Sequence, residues 1–272
     1  MNHNNDNADE NSNNNIKEYW EKRLNDNYGL HGTGYIGLGK NYNSWMYKVR
    51  KHIVSRKLQK FKSNLRDADV LDIGSGSGFY VDIWKQLGVK SIMGCDITSV
   101  SVKNLRSRHP QGEFIELDIS SNVIPISKQF DYITAFDILF HIVDDDKYVK
   151  AIYNIYNLLK PNGILIFSEN FIHNKSIHSR FQSTRSLTEI QSLLQRSGFQ
   201  ILERSPMFYL MNTPVDSDGV MINKFWHLVK RTASKGESFG SLVGSILYPF
   251  EILMISTRTE SPSTELMICK KQ

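Results

Sequence analysis

The chain has 272 residues, 40% of them apolar, with a formal net charge of +5 and a pI near 9.0. That length suffices for one large domain with a full core, and so mild a basic balance does not point to nucleic acid. The two cysteines, Cys95 and Cys269, fall in apolar stretches. They read as small buried residues in a reducing compartment rather than a disulfide or metal site.

Residues 1–15 hold eight Asn and, after Met1, one apolar side chain, Ala8. Such a segment cannot bury a core and reads as a disordered tail. It lacks the basic-then-apolar order of a signal peptide, so the expected location is cytoplasmic. Residues 16–62 read as a helical cap. Ile16, Tyr19, Trp20 and Leu24 form a helical stripe. Residues 28–40 carry five glycines (29, 32, 34, 37 and 39) and read as a mobile lid over a substrate. His31 and Tyr35 are its candidate substrate contacts. Gly32 to Gly37 formally matches G-x-G-x-x-G, but no strand precedes it, so the dinucleotide reading fails on context. A second helix is expected from about Asn43 to Phe61. Lys48, Arg50, Lys51, Arg56, Lys57, Lys60 and Lys62 fall there with no acid between them. That run is either a solvated face or a surface for an anionic substrate, a carrier protein or a membrane.

Residues 63–272 read as the main domain. Val70, Leu71 and Ile73 make a buried strand, followed by Gly74, Gly76 and Gly78 and a helix starting near Phe79. Glycines there let the backbone approach a ligand, and the helix start aims free N–H groups at the same place. A second strand, Ser91 to Asp96, ends in an acid about twenty residues on, where a carboxylate reaches a ribose diol. A third strand, Glu113 to Ile119, also carries an acid near its end, Asp118. A fourth runs from Phe130 to Phe136. Leu158-Leu159-Lys160-Pro161-Asn162-Gly163 ends a helix with a turn, and Ile164 to Ser168 is the fifth strand. Ser186 to Glu189 is a capping box for a helix ending near Gly198. Phe199 to Ser205 is a sixth strand and Glu265 to Cys269 a seventh. Between them, about 207–256, lies an insertion. Its start is rich in aromatics and methionines, with Phe208 a candidate lining of a substrate pocket. Phe239 to Ile255 has the spacing of an amphipathic helix, which Pro249 is expected to kink or split.

The run Asp72 to Gly78, D-x-G-x-G-x-G, resembles motif I of the class I S-adenosylmethionine-dependent methyltransferases. The later strand ends and Leu-Leu-Lys-Pro-Asn-Gly follow in that family's order, so the resemblance covers roughly residues 65–205. It implies a Rossmann-like α/β fold. The expected sheet has seven, mostly parallel strands, with helices on both faces, an N-terminal helical cap and a late insertion. It implies S-adenosyl-L-methionine as cofactor, on Asp72, Gly74, Gly76 and Gly78. Asp96 and Ile97 would meet the ribose, Asp118 the adenine amino group, with Ile119 and Phe136 packed on the cofactor.

The implied chemistry is in-line transfer of a methyl group, with alignment as the protein's main task. His141, after the fourth strand and in apolar surroundings, is the candidate base. Arg180, after the fifth strand, is a further candidate substrate contact. The expected acceptor is a hydroxyl or carboxyl oxygen of a small molecule, a sugar or secondary metabolite, with nitrogen as an alternative. No nucleic-acid module is visible, and the oligomeric state is left open. A metal-assisted catechol-type mechanism would use Asp137, Glu169 and Asn170, where Glu replaces the usual first Asp; no metal is expected. Tyr156 to Lys160 matches Y-x-x-x-K of dehydrogenases, but the helix ending there explains it. A non-catalytic cofactor-binding subunit is the remaining alternative.

Overall fold

A computed structural model describes residues 5–61 and 65–272, with 5–15 described by their backbone alone. Residues 1–4 of the expected tail, and the expected border between cap and main domain at 62/63, lie outside the described residues. Helix α1 spans Asn5–Asp26. Ile16 and Leu24 are buried and anchor this helix.

The glycine-rich segment 28–40 is partly helical. It holds α2 (Leu30–Thr33) and a 3-10 turn at Ile36–Leu38. A Cβ at Gly32 would collide with the Asn27 carbonyl, so this glycine serves close packing rather than mobility. Helix α3 follows (Gly39–Gln59), burying Tyr42, Met46, Val49 and Ile53 along one face.

The main unit then runs β1 (Asp69–Ile73), α4 (Phe79–Leu87), β2 (Ser91–Asp96), α5 (Ser99–Arg108), β3 (Glu113–Glu116), β4 (Phe130–Ala135), α6 (Asp145–Leu158) and β5 (Leu159–Glu169). A two-stranded hairpin, β6 (Ile177–His178) and β7 (Ser183–Thr184), precedes α7 (Leu187–Arg196). The Ser186–Glu189 capping box opens α7 as expected. The chain ends in β8 (Phe199–Pro206), α8 (Val220–Ala233), α9 (Glu237–Thr257) and β9 (Glu265–Lys271). Asn162, at φ 64°, and Gly163 form no free-standing turn; they make a bulge of β5 against β4, between Phe130 and Tyr132.

Seven strands make one sheet in the order β3-β2-β1-β4-β5-β9-β8. Only β9 runs antiparallel, between β5 and β8. Successive side chains alternate between two cores. Val70, Tyr132, Ile166 and Ile268 pack toward α3, α4, α8 and α9. Leu71, Ile133, Phe167 and Met267 pack toward α6 and α7. Both faces are therefore covered, as parallel strands require. Strand order reverses between β1 and β4, which opens a crevice at their carboxyl ends.

The insertion folds onto the cap. α9 packs along α3, with Gly240 against Tyr42, Gly244 against Trp45, and the Trp45 and Tyr248 rings 5.5 Å apart. α9 is continuous through Pro249, which does not split it. Pro249 and Ser245 are both exposed, so the missing backbone bond falls on the solvent side.

Candidate active site

The floor of the crevice is the turn after β1. Gly74, Gly76 and Gly78 all lie in the left-handed region, at φ 69°, 49° and 80°. The Gly76 N–H donates to Asp96 Oδ2 at 2.8 Å. Asp96 Oδ1 accepts from the Thr98 N–H at 2.9 Å and the Thr98 hydroxyl at 2.7 Å. One buried carboxylate thus ties the glycine turn to the end of β2. Burial pushes its pKa above the ordinary value, against the pull of the Thr98 and Gly76 hydrogen bonds.

Gly74, Gly76, Asp96, Ile97, Asp118, Ile119 and Phe136 all line this cleft. Together with the solvent at its open mouth it encloses about 1060 Å³. Asp118 Oδ1 accepts from the N–H and hydroxyl of Ser120, which fixes the carboxyl at the cleft wall. Ile97, Leu117 and Ile119 provide an apolar slot beside it. Acid, slot, acid and glycine turn are the parts a sulfonium nucleoside needs, so the residues fit the cofactor.

Two expected cofactor residues stand behind the cleft instead. Asp72 lies under the turn, where its Oδ1 accepts from the Thr134 hydroxyl at 2.6 Å and its carbonyl from Ser75. Burial raises its carboxyl to about 7. Gly78 is the N-cap of α4, and a Cβ there would strike Leu105. Both residues build the turn rather than line it.

Over the floor comes the cap. The Tyr28 hydroxyl donates to the Gly76 carbonyl at 3.2 Å. The Thr33 hydroxyl meets those of Tyr47, at 2.8 Å, and Ser77, at 3.3 Å. The segment expected as a substrate lid therefore closes on the glycine turn, the cofactor side of the cleft. Its named contacts are placed elsewhere. His31 is outside the cleft lining, and Tyr35 packs toward Trp226, 6.4 Å between centroids. Arg180 stacks on Phe181, and Phe208 is fully buried behind Arg50. Helical packing of residues 30–38 onto α3 turns His31 and Tyr35 away.

The opposite wall centres on Asp137, directly after β4, a non-glycine residue at φ 57°. Its Oδ1 accepts from the Ser168 hydroxyl at 2.8 Å. Its Oδ2 accepts from Arg50 Nε at 2.9 Å and Nη2 at 2.7 Å. The Arg50 guanidinium sits between the Tyr47 and Phe208 rings. Tyr80 stacks on Phe136 at 4.1 Å and leaves its buried hydroxyl without a partner. Among the described residues no group of three or more His, Cys, Asp or Glu is placed to hold a metal ion. Glu169 accepts from the Tyr148 hydroxyl, and burial raises it to about 8. Asn170 accepts from Thr264.

His141 lines the cleft edge-on to Trp20, 4.9 Å between centroids. Its Nδ1 lies 2.9 Å from the Phe181 carbonyl. A carbonyl only accepts, so Nδ1 carries the proton and Nε2 is the bare acceptor. Burial lowers its pKa to about 4. An unfolded histidine titrates near 6.5, so from about 6.5 down to about 4 the unfolded chain holds the extra proton. Stability is therefore lost as pH falls through that window. His141→Gln should flatten this dependence by up to about 3 kcal/mol. Urea unfolding of both proteins at pH 7 and 4.5 checks it; parallel losses would mean that His141 is not held neutral.

Residues 70–163 match a family described as a methyltransferase domain. The chain is 28% identical over 137 residues to ribosomal protein L11 methyltransferase of Dictyoglomus turgidum, covering 50% of this chain and 40% of that protein. It is 37% identical over 130 residues to juvenile hormone acid O-methyltransferase of Drosophila melanogaster, covering 43% and 42%. The match thus spans less than half the length of either curated relative. Magnesium protoporphyrin IX methyltransferase from Synechocystis PCC 6803, solved with bound S-adenosylmethionine, superposes with a TM-score of 0.59. That match covers 96% of this chain and 97% of the other at 15% identity, a likeness of fold. Sheet order, glycine turn and strand-end acids agree with the matched domain, and residues 70–163 form a methyltransferase domain.

Proposed function

We propose that this chain transfers a methyl group from S-adenosylmethionine to an oxygen of a small molecule, and that this oxygen belongs to a carboxylate. The state of His141 carries the choice. A hydroxyl acceptor must give up its proton, and a base helps most when its pKa lies near the working pH. His141, held to about 4 by burial, is a weak base at neutral pH. Asp137, the acid beside it, is already engaged by Arg50 and Ser168. A carboxylate arrives ionised and needs neither. The Drosophila relative, an acid O-methyltransferase by name, supports the same reading.

When bound, the cofactor supplies a methyl group already activated on a positively charged sulfur. The chain's own part is placement. Asp96, Asp118 and the glycine turn fix one end of the cleft, and the cap excludes water above Gly76. His141 Nε2 and the Trp20 ring orient the acceptor.

The test offers purified chain and methyl-labelled cofactor a panel of apolar carboxylic acids with the matching alcohols and amines. The expected product releases its label as methanol in mild base, as a methyl ester does and an ether or methylamine does not. A base-stable product would overturn the carboxylate reading. His141→Gln should keep kcat within about tenfold, because a lost general base costs roughly 10²–10⁴-fold.

A further inference from the structure

Helix α9 is the one helix among the described residues long and apolar enough to cross a membrane, yet little of it is buried. One face is committed to the fold. Gly240 and Gly244 lie against α3, and Glu251 is fully buried, accepting from the Tyr209 and Leu210 N–H groups at 2.6 Å each. The other face carries Phe239, Leu242, Ile246, Phe250 and Leu253, exposed by 48–60%. Their spacing of three, four, four and three keeps them on one stripe, about 21 Å long at 1.5 Å per residue. On the neighbouring α8, Met221 and Leu228 are more exposed still, at 87% and 63%.

Cations lie at the two ends of this stripe and on the α3 side of the helix. Lys235 Nζ lies 6.0 Å from the Phe239 ring, at one end. Lys48 Nζ lies 3.5 Å from the Trp45 ring, which packs on Gly244 midway along. Arg56 Nη1 donates to Ser256 at the other end, 3.2 Å. None of the three forms an ion pair among the described residues. The acids of the same unit are spent internally: Glu251 as above, and Glu237 on the Lys40 and Asn41 N–H groups that open α3.

We propose that α9 is an interfacial membrane anchor, lying flat on a bilayer that carries anionic headgroups. An apolar stripe with cations at its ends matches the boundary between acyl chains and phosphate. A crossing orientation would strip the two glycines from α3 and Glu251 from the Tyr209 and Leu210 N–H groups. A second copy across a two-fold would set Lys48, Arg56 and Lys235 near their own equivalents, an unfavourable pairing. The inference is independent of the acceptor assigned above.

Sedimentation of the full chain with sucrose-loaded vesicles tests it. Phosphatidylcholine vesicles containing 30% phosphatidylglycerol should pellet the protein at least tenfold more efficiently than pure phosphatidylcholine, with the excess falling as salt rises. Leu242→Ser with Phe250→Ser should lower that binding at least tenfold while leaving the thermal melt and S-adenosylhomocysteine binding unchanged. Lys48→Glu with Lys235→Glu should remove most of the salt dependence. No pelleting with either vesicle, or equal pelleting by the serine variant, overturns the proposal. So does a dimer by light scattering that the serine variant dissociates, which would make the face a self-association surface.

Discussion

Arg50→Met is expected to lower the free energy of unfolding by about 3 kcal/mol, read from urea denaturation at pH 7. The Arg50 side chain is 9% exposed and that of Asp137 24%, so removing the cation leaves a carboxylate largely cut off from water. Breaking a buried pair typically costs about 3–5 kcal/mol, and the residual exposure of Asp137 places this case at the low end. Methionine keeps the apolar bulk between Tyr47 and Phe208, which separates the charge effect from a packing defect. Asp137 also holds a left-handed backbone that only the surrounding bonds enforce, and it lines the cleft. The same variant should therefore weaken S-adenosylhomocysteine binding. Adding Asp137→Asn should cost less than the sum of the two single changes, since the stranded charge is then gone. A single variant within about 0.5 kcal/mol of wild type would show that the pair contributes nothing net to stability.

Arg50 shows what sequence conceals. In the chain it is one of seven cations in an acid-free run, and such a run reads as a solvated face. Its position gives a finer signal. It stands four residues after Met46 and three before Ile53, on the buried stripe of α3, and a charge on that stripe needs a partner. No rule of spacing names Asp137, 87 residues on; only the fold supplies it. The glycine turn, Asp96 and Asp118 were legible because strand ends and a turn are local patterns, and parallel strands bring their carboxyl ends to one edge. The glycines of the cap are less legible. Five glycines in residues 28–40 suggest freedom, yet Gly32 is there because a neighbouring carbonyl leaves no space. Composition does not distinguish a glycine chosen for motion from one chosen for contact. His31, Tyr35 and Phe208 were judged by residue type, and their directions are set by packing against α3 and α8.

Asp96→Asn is expected to weaken S-adenosylhomocysteine binding about ten- to a hundredfold by calorimetry. Losing a hydrogen bond made by a charged group costs about 1.5–3 kcal/mol, and 1.4 kcal/mol is a factor of ten. The residue has two tasks, and the amide impairs both. Toward the ligand, the amide lacks the charge that strengthens a bond to a ribose hydroxyl. Toward the fold, Asp96 receives N–H groups on both oxygens, from Gly76 and from Thr98. Asparagine has one acceptor and must turn its NH₂ toward one of these donors. A thermal melt without ligand measures the second task alone. Gly76→Leu probes the turn by another route. Its φ of 49° is strained for leucine, and the new Cβ would lie 2.9 Å from the Thr33 methyl group, so binding should vanish. If Asp96→Asn lowers the melt yet binds as tightly as wild type, the ribose assignment fails. The carboxylate would then serve only to hold the glycine turn against β2.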